Sequence, residues 1–550
     1  MFAWRFPFIG RDEIVLGSAN FAAVSSRRLW AAVALAVSAG LIGFAPVAVA
    51  EDVAKTTAEA HSFTAAFESI QASDLKRHAA YLADDTFEGR EAGSRGGRAA
   101  GVYLGQELRR HSLAGGGSGG GYYQPFGDGF RNVLGLLEGI DPRLKQEVII
   151  VSAHYDHVGY GAPTNSRGPI GYIHNGADDN SSGTAGLLEM IEAMVQLEPR
   201  PKRTILFAFW DAEEKGLLGS RHWVASPTVS LERVKAMINF DMIGRLNGRR
   251  LEVYGVRTAA GWCELITRHN HGLDLRLAFT WEIKPNSDHY PFLVRGIPYL
   301  MPHTGVHADY HRPSDDTERL ELDGMQAVTR LGFRLVNDLA NRPTVPGFRP
   351  RARVETVTAQ RAVERGSPPL PARLGIAWDK KPNDELGIIV RSVAEGSAAE
   401  RAGLKTGDRI TQFDGQSLTD DGEFQSYILK VEKSIRLTVA RLGEPTATQL
   451  DVPLNGEPVR VGIAWREDDA EPGTAILTRV VPASPAAKAG LHVNDRIYAV
   501  SGQRFSSSDE FQRLLANAQG QVDLEVGHEG EIRHAKLDLR PLREAAAKRP

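Results

Sequence analysis

Four short apolar runs constrain this chain more than anything else in it. They are residues 147–153 (E-V-I-I-V-S-A), 204–210 (T-I-L-F-A-F-W), 234–240 (V-K-A-M-I-N-F) and 297–301 (I-P-Y-L-M). Residues 132–138 (N-V-L-G-L-L-E) read as a further strand, and an amphipathic helix over 184–197 separates the first two runs. A strand that is apolar along its whole length must be covered on both faces. The alternation therefore predicts an α/β fold with a mixed, mostly parallel sheet sandwiched by helices. In such open sheets the ligand site lies beyond the carboxyl ends of the strands. His154 follows the first run directly, Glu213 and Glu214 follow the second, and Asp241 ends the third.

Those side chains are hard-oxygen and imidazole donors of the kind that hold Zn²⁺. A lone H-x-D such as His154-Tyr155-Asp156 is more often structural than functional, but not directly after a buried strand with further donors downstream. There His154 is expected to bind metal, and Asp156 to receive its second ring N–H and fix the tautomer. His157 reads as a bystander or pocket residue. Asp178 and Asp179 open a helix in G-A-D-D-N-S-S-G, where Asp and Ser serve commonly as caps. The functional reading gives Asp178 to both metals as a bridge and leaves Asp179 beside it. Two adjacent carboxylates at a buried strand end, Glu213 and Glu214, repel one another without a cation. Glu214 is read as a ligand and Glu213 as general base. Two metals sharing a carboxylate are the machinery of many hydrolases. His289, His303, His307 and His311 compete for the last ligand position.

The motifs G-A-D-D-N-x-S-G, A-E-E-x-G-L-x-G-S and S-D-H-x-x-F, in the order H-x-D, D-D, E-E, D, H, resemble the di-zinc aminopeptidase family over about residues 63–341. The resemblance implies two Zn²⁺ per chain, held by His154, Asp178, Glu214, Asp241 and His311. It also implies a metal-bridging water that Glu213 activates to hydrolyse N-terminal residues of peptides. A carboxypeptidase or dipeptidase of the same family is the alternative enzyme. A silent scaffold is the non-enzyme alternative, and it predicts eroded ligands, of which none is seen.

Beyond a Pro- and Arg-rich stretch, read as a linker over 343–371, the chain repeats itself. Gly375 of L-G-I-A-W recurs at Gly462 of V-G-I-A-W, Gly403 at Gly490 and Asp408 at Asp495, always 87 residues on. Solenoid repeats are shorter, about 20–50 residues, so this is domain duplication. The two units, 372–455 and 456–543, resemble PDZ domains, small and β-rich, which take C-terminal peptides by strand addition. The polar linker suggests that they separate from the peptidase domain at 51–342. Asn494 stands where the first unit has Gly407 and is expected to tolerate a left-handed backbone.

Arg27 and Arg28 precede a 17-residue apolar run at 29–45, and Ala48-Val49-Ala50 follows. This reads as a signal peptide over 1–50, cleaved after Ala50, and so as a periplasmic or secreted protein with no stable membrane span afterwards. The one cysteine, Cys263, excludes an intramolecular disulfide and a thiolate zinc site. A formal charge of −3 gives no footprint for nucleic acid. Peptides are the expected partners, as substrates and, at the PDZ units, as ligands.

Overall fold

The computed structural model describes residues 45–379 and 387–540, with side chains from residue 57 on. Of the expected leader only residues 45–50 are described, as the start of the helix Ala45–Ser69. The rest of that expectation lies outside the described residues. No helix among the described residues is long and apolar enough to cross a membrane.

The N-terminal region is built on a nine-stranded sheet. In chain order its strands are β1 Ala114–Gly115, β2 Tyr123–Phe126, β3 Phe130–Leu137, β4 Val148–His154, β5 Thr204–Trp210, β6 Val234–Asn239, β7 Arg250–Tyr254, β8 Arg276–Phe279 and β9 Tyr299–His303. The spatial order is β1-β3-β5-β4-β6-β9-β7-β8, with β2 paired to β3. The central four, β5, β4, β6 and β9, are parallel; β3 and β7 run antiparallel to their inner neighbours. This is the mixed, mostly parallel sheet the apolar runs require. β4 and β5 are fully buried along their length, because helices cover both faces. Ala72–Leu82, Gly183–Val195 and Leu322–Asn341 pack on one side around Phe207, Phe209 and Phe240. On the other, Leu218–Ala225 and His289–Val294 close over Trp210, Trp223 and Phe292, whose rings lie 5.6–6.0 Å apart. In the register, His154 is opposite Trp210 and Ser152 opposite Asn239. The carboxyl ends of β4, β5 and β6 are therefore level, and the loops after them meet in one place.

The two C-terminal units each form a six-stranded antiparallel sheet of the same order. Ile376 pairs with Val393 and Ile463 with Val480, and each first strand is bulged before its Trp, Trp378 or Trp465. Gly375 and Gly462 have φ of +84° and +88°. A Cβ there would lie 2.3 Å from Ser397 and 2.2 Å from Ser484, so both the angle and the space demand glycine. Asn494 takes the left-handed backbone expected of it, φ +72° beside +90° at Gly407.

The expectation that the units separate from the peptidase region is corrected for the second of them. The stretch read as a linker contains a 3₁₀ turn, Pro350–Val354, and a helix, Val357–Glu364. The second unit is docked by main-chain hydrogen bonds: Gly261 N–H donates to Ala470 O at 2.8 Å and Leu277 N–H to Glu529 O at 3.0 Å. Arg257, 6 % exposed, reaches Glu355 at 2.6 Å and Asp468 at 2.8 Å and stacks over Trp281. Arg349 joins Glu355 to Asp469. Arg349, which looks in sequence like linker polarity, thus joins Arg257 as a cation of a largely buried ion network. The first unit meets the second through Val459 N–H donating to Leu429 O and Ser426 Oγ–H to Ala483 O.

Candidate metal centre

Most of the expected ligands come together at the level ends of the strands. His154, the last residue of β4, turns Nε2 toward Asp179 Oδ1 at 3.3 Å and Asp241 Oδ1 at 3.5 Å. His311 Nε2 lies 3.1 Å from Asp179 Oδ2 and 3.2 Å from Glu214 Oε2. Its Nδ1–H donates to Asn165 O at 2.5 Å, which fixes the tautomer. Of the four candidate histidines, His311 is the one that lies in a group of donors within reach of one another. His289 bonds Lys284 O, His303 accepts from Gly305 N–H, and His307 faces Asp178 Oδ2 at 3.2 Å.

The assignment of Asp178 as the shared carboxylate is corrected. Its Oδ1 accepts from Gly244 N–H at 2.6 Å and Ser182 Oγ–H at 2.9 Å, and its Oδ2 faces His307. The side chain is spent tying the D-D turn to the loop after β6. Asp179 points the other way, because its backbone leaves the helical region (φ −106°, ψ 94°), and its two oxygens face His154 and His311. Asp315 holds the turn from below, its carboxylate accepting from the Asp178 and Asp179 amides at 3.1–3.2 Å.

Asp156 also departs from expectation. Its carboxylate is 3.8 Å from His154 Nδ1, too long for a hydrogen bond. The nearer partner of Nδ1 is the Asp156 carbonyl, at 3.3 Å. The carboxylate instead accepts from Glu213 N–H at 3.0 Å and Glu214 N–H at 3.3 Å. Asp156 therefore positions the paired glutamates from the neighbouring strand.

Two groups of donors result, each with its ligand atoms within 4.8 Å of one another: His157, Asp179, Glu214 and His311, and His154, Asp179 and Asp241. Asp179 belongs to both. The donor chemistry, imidazole and carboxylate without thiolate, suits Zn²⁺. The electrostatics call for cations. Burial opposes charge on His154 most strongly, yet Glu213, Asp179 and Asp241 hold its pKa well above the ordinary value. His311, likewise against burial, is raised to about 10 by Asp179 and Glu214. The surrounding carboxylates thus favour positive charge at this place, which bound metal would supply. Glu213 is in neither group. Burial pushes its carboxyl well up, and Glu214 adds to the push against His154.

Two participants were missed in the sequence. His157, read as a bystander or pocket residue, donates Nδ1–H to Glu214 Oε1 at 2.8 Å. Arg90, 1 % exposed, spends its guanidinium on the carbonyls of Tyr155, Leu82, Asn175 and Gly176. It is a fixed cation behind the carboxylates, hidden in a segment, F-E-G-R-E-A-G, that reads as a turn.

Residues 132–336 match Peptidase family M28, and residues 389–441 and 476–526 each match the PDZ domain. The chain thus carries an M28 peptidase domain followed by two PDZ domains. Among known proteins it is similar to the probable leucine aminopeptidase 1 of Trichophyton verrucosum (strain HKI 0517), 28% identical over 36% of this chain and 56% of that one. It is similar to the leupeptin-inactivating enzyme 1 of Streptomyces exfoliatus, 28% identical over 38% and 43%. The aminopeptidase YwaD of Bacillus subtilis (strain 168) is 30% identical over 39% and 46%. The chain thus spans about half the length of the curated relatives it matches. Among solved structures it resembles the LapA aminopeptidase of Legionella pneumophila, with a TM-score of 0.44 and 20% identity over 51% of this chain and 75% of that one. It also resembles the glutaminyl cyclase of Porphyromonas gingivalis, with a TM-score of 0.41 and 22% identity over 49% and 98%.

Proposed function

We propose that the protein is a zinc-dependent aminopeptidase that works outside the cytoplasm. The observation that carries the reading is the pair of donor groups sharing Asp179. His154 and Asp241 would complete one site, Glu214 and His311 the other. Zinc bound there would supply Lewis acidity, polarising the scissile carbonyl and making the attacking water more acidic. Glu213 takes the proton of that water and returns it to the leaving amine. Burial raises its carboxyl pKa, the direction that suits a group that must both accept and give a proton. Asp156, through the two amides it holds, keeps Glu213 and Glu214 from exchanging roles. The leader over 1–50 would direct the chain to the periplasm or the medium. The PDZ domains would hold peptides with a free C-terminus along the strands that follow Gly375 and Gly462.

Glu213→Gln tests the central step on L-leucine p-nitroanilide, a substrate chosen from the names of the relatives. The variant should keep both zinc ions and lose about 10²–10⁴-fold in kcat, the usual worth of a general base. A zinc-replete variant with wild-type kcat would remove Glu213 from the role.

A further inference from the structure

His157 stands three residues after His154, beyond the end of β4, and its side chain is fully buried. Nδ1 lies 2.8 Å from Glu214 Oε1 and 3.9 Å from Asp179 Oδ2. The ring is edge-on to His311, with centroids 5.5 Å apart. Its Nε2 is buried and has no hydrogen-bond partner. The backbone is shaped around it: a Cβ at Gly176, where φ is +56°, would lie 2.5 Å from His157 Cδ2. His157, Asp179, Glu214 and His311 each offer one donor atom within 4.8 Å of the others, and the ring nitrogens that face the carboxylates are His157 Nδ1 and His311 Nε2. Two imidazoles and two carboxylates supply four donors, the number that closes a zinc site, whereas three protein ligands leave a position open.

We propose that His157 is a metal ligand through Nδ1, so that the two sites are unequal. The site of His157, Asp179, Glu214 and His311 is closed by protein and holds its ion tightly. The site of His154, Asp179 and Asp241 has three protein ligands and keeps the open position that a water or substrate needs. The inference rests on the two-metal reading above and deepens it. The competing role is that of a positioning residue: Nδ1–H donates to Glu214, which alone meets the metal.

Zinc X-ray absorption on the full chain separates the two. With one equivalent of zinc added to metal-free protein, the proposal expects two imidazoles around the ion; with two equivalents, three imidazoles are shared between two ions. One imidazole per ion at both loadings overturns the ligand role and leaves the two-metal reading intact. A chain that binds no zinc overturns both. As a second readout, His157→Ala and His157→Asn should weaken the first zinc by more than the ~10–100-fold that loss of an outer hydrogen-bonding partner costs. The weaker site should be little changed. Equal weakening of both sites, or of neither, contradicts the asymmetry.

Discussion

Asp178 and Asp179 carry the same functional group one residue apart and do different work. Asp178→Asn should keep zinc stoichiometry near that of the native chain. Its cost is in stability, about 1–3 kcal/mol, for disturbing buried hydrogen bonds to Gly244 and Ser182. Asp179→Asn should fold and lose affinity for both ions together, because both donor groups use it. Zinc titration of the two variants decides between them, and the reverse pattern would restore Asp178 as the shared ligand. A second residue-scale test lies away from the site. Burial lifts Glu189 to about 8 and lowers His78, 3.6 Å away, to about 3, so the two face each other neutral at pH 7. A carboxyl with a folded pKa above its unfolded value releases a proton on unfolding between the two, and stability falls as pH rises through that window. The window for Glu189 runs from the ordinary 4.5 to about 8. His78, whose folded pKa is depressed, adds its own dependence only below its ordinary 6.5. Thermal melts of Glu189→Gln against the native chain should therefore diverge in favour of the variant between pH 6.5 and 8. A constant difference across that range would contradict the placement of Glu189.

At the scale of elements, the site is three strand ends, the D-D turn and the loop that carries His311. Asp156, past the end of β4, grips the two amides past the end of β5. Asp315, in the loop that carries His311, grips the D-D turn. Asp156→Asn keeps the shape but places an amide where two N–H donors converge. It should lower kcat by about 10² through misplaced reacting groups, with zinc content unchanged. A fall in zinc content with kcat per bound zinc preserved would show that Asp156 serves the ligands instead. The strands and the order of donors were legible in sequence because fully buried strands leave apolar runs, and His154, the Glu213-Glu214 pair and Asp241 each follow one. The direction of Asp179 was not, since it depends on a local departure from helical backbone. Nor was the use of His157, which needs the Glu213-Glu214 turn folded against it to be seen.

For the whole molecule, the second PDZ domain is part of the peptidase surface, although composition alone made it look detachable. Arg349 reads as linker polarity in sequence and Arg257 gives no signal there; both gain their meaning only when Glu355, Asp468 and Asp469 close on them. Arg257→Ala leaves Glu355 and Asp468 without their shared cation and should destabilise the full chain by about 3–5 kcal/mol, the range for breaking a buried pair. An unchanged denaturation midpoint would mean that the docking carries no stability. A chain ending near Asn341 keeps every proposed ligand but uncovers Gly261 and Leu277, so its zinc site should survive with a lowered melting temperature. The account as a whole rests on two ions sharing one carboxylate. The most direct test adds zinc stepwise to metal-free full-length protein while following bound metal and hydrolysis of L-leucine p-nitroanilide together. Binding should saturate at two equivalents, with full turnover reached only as the second is taken up. A folded chain that saturates at one equivalent with full activity, or binds none, would contradict it.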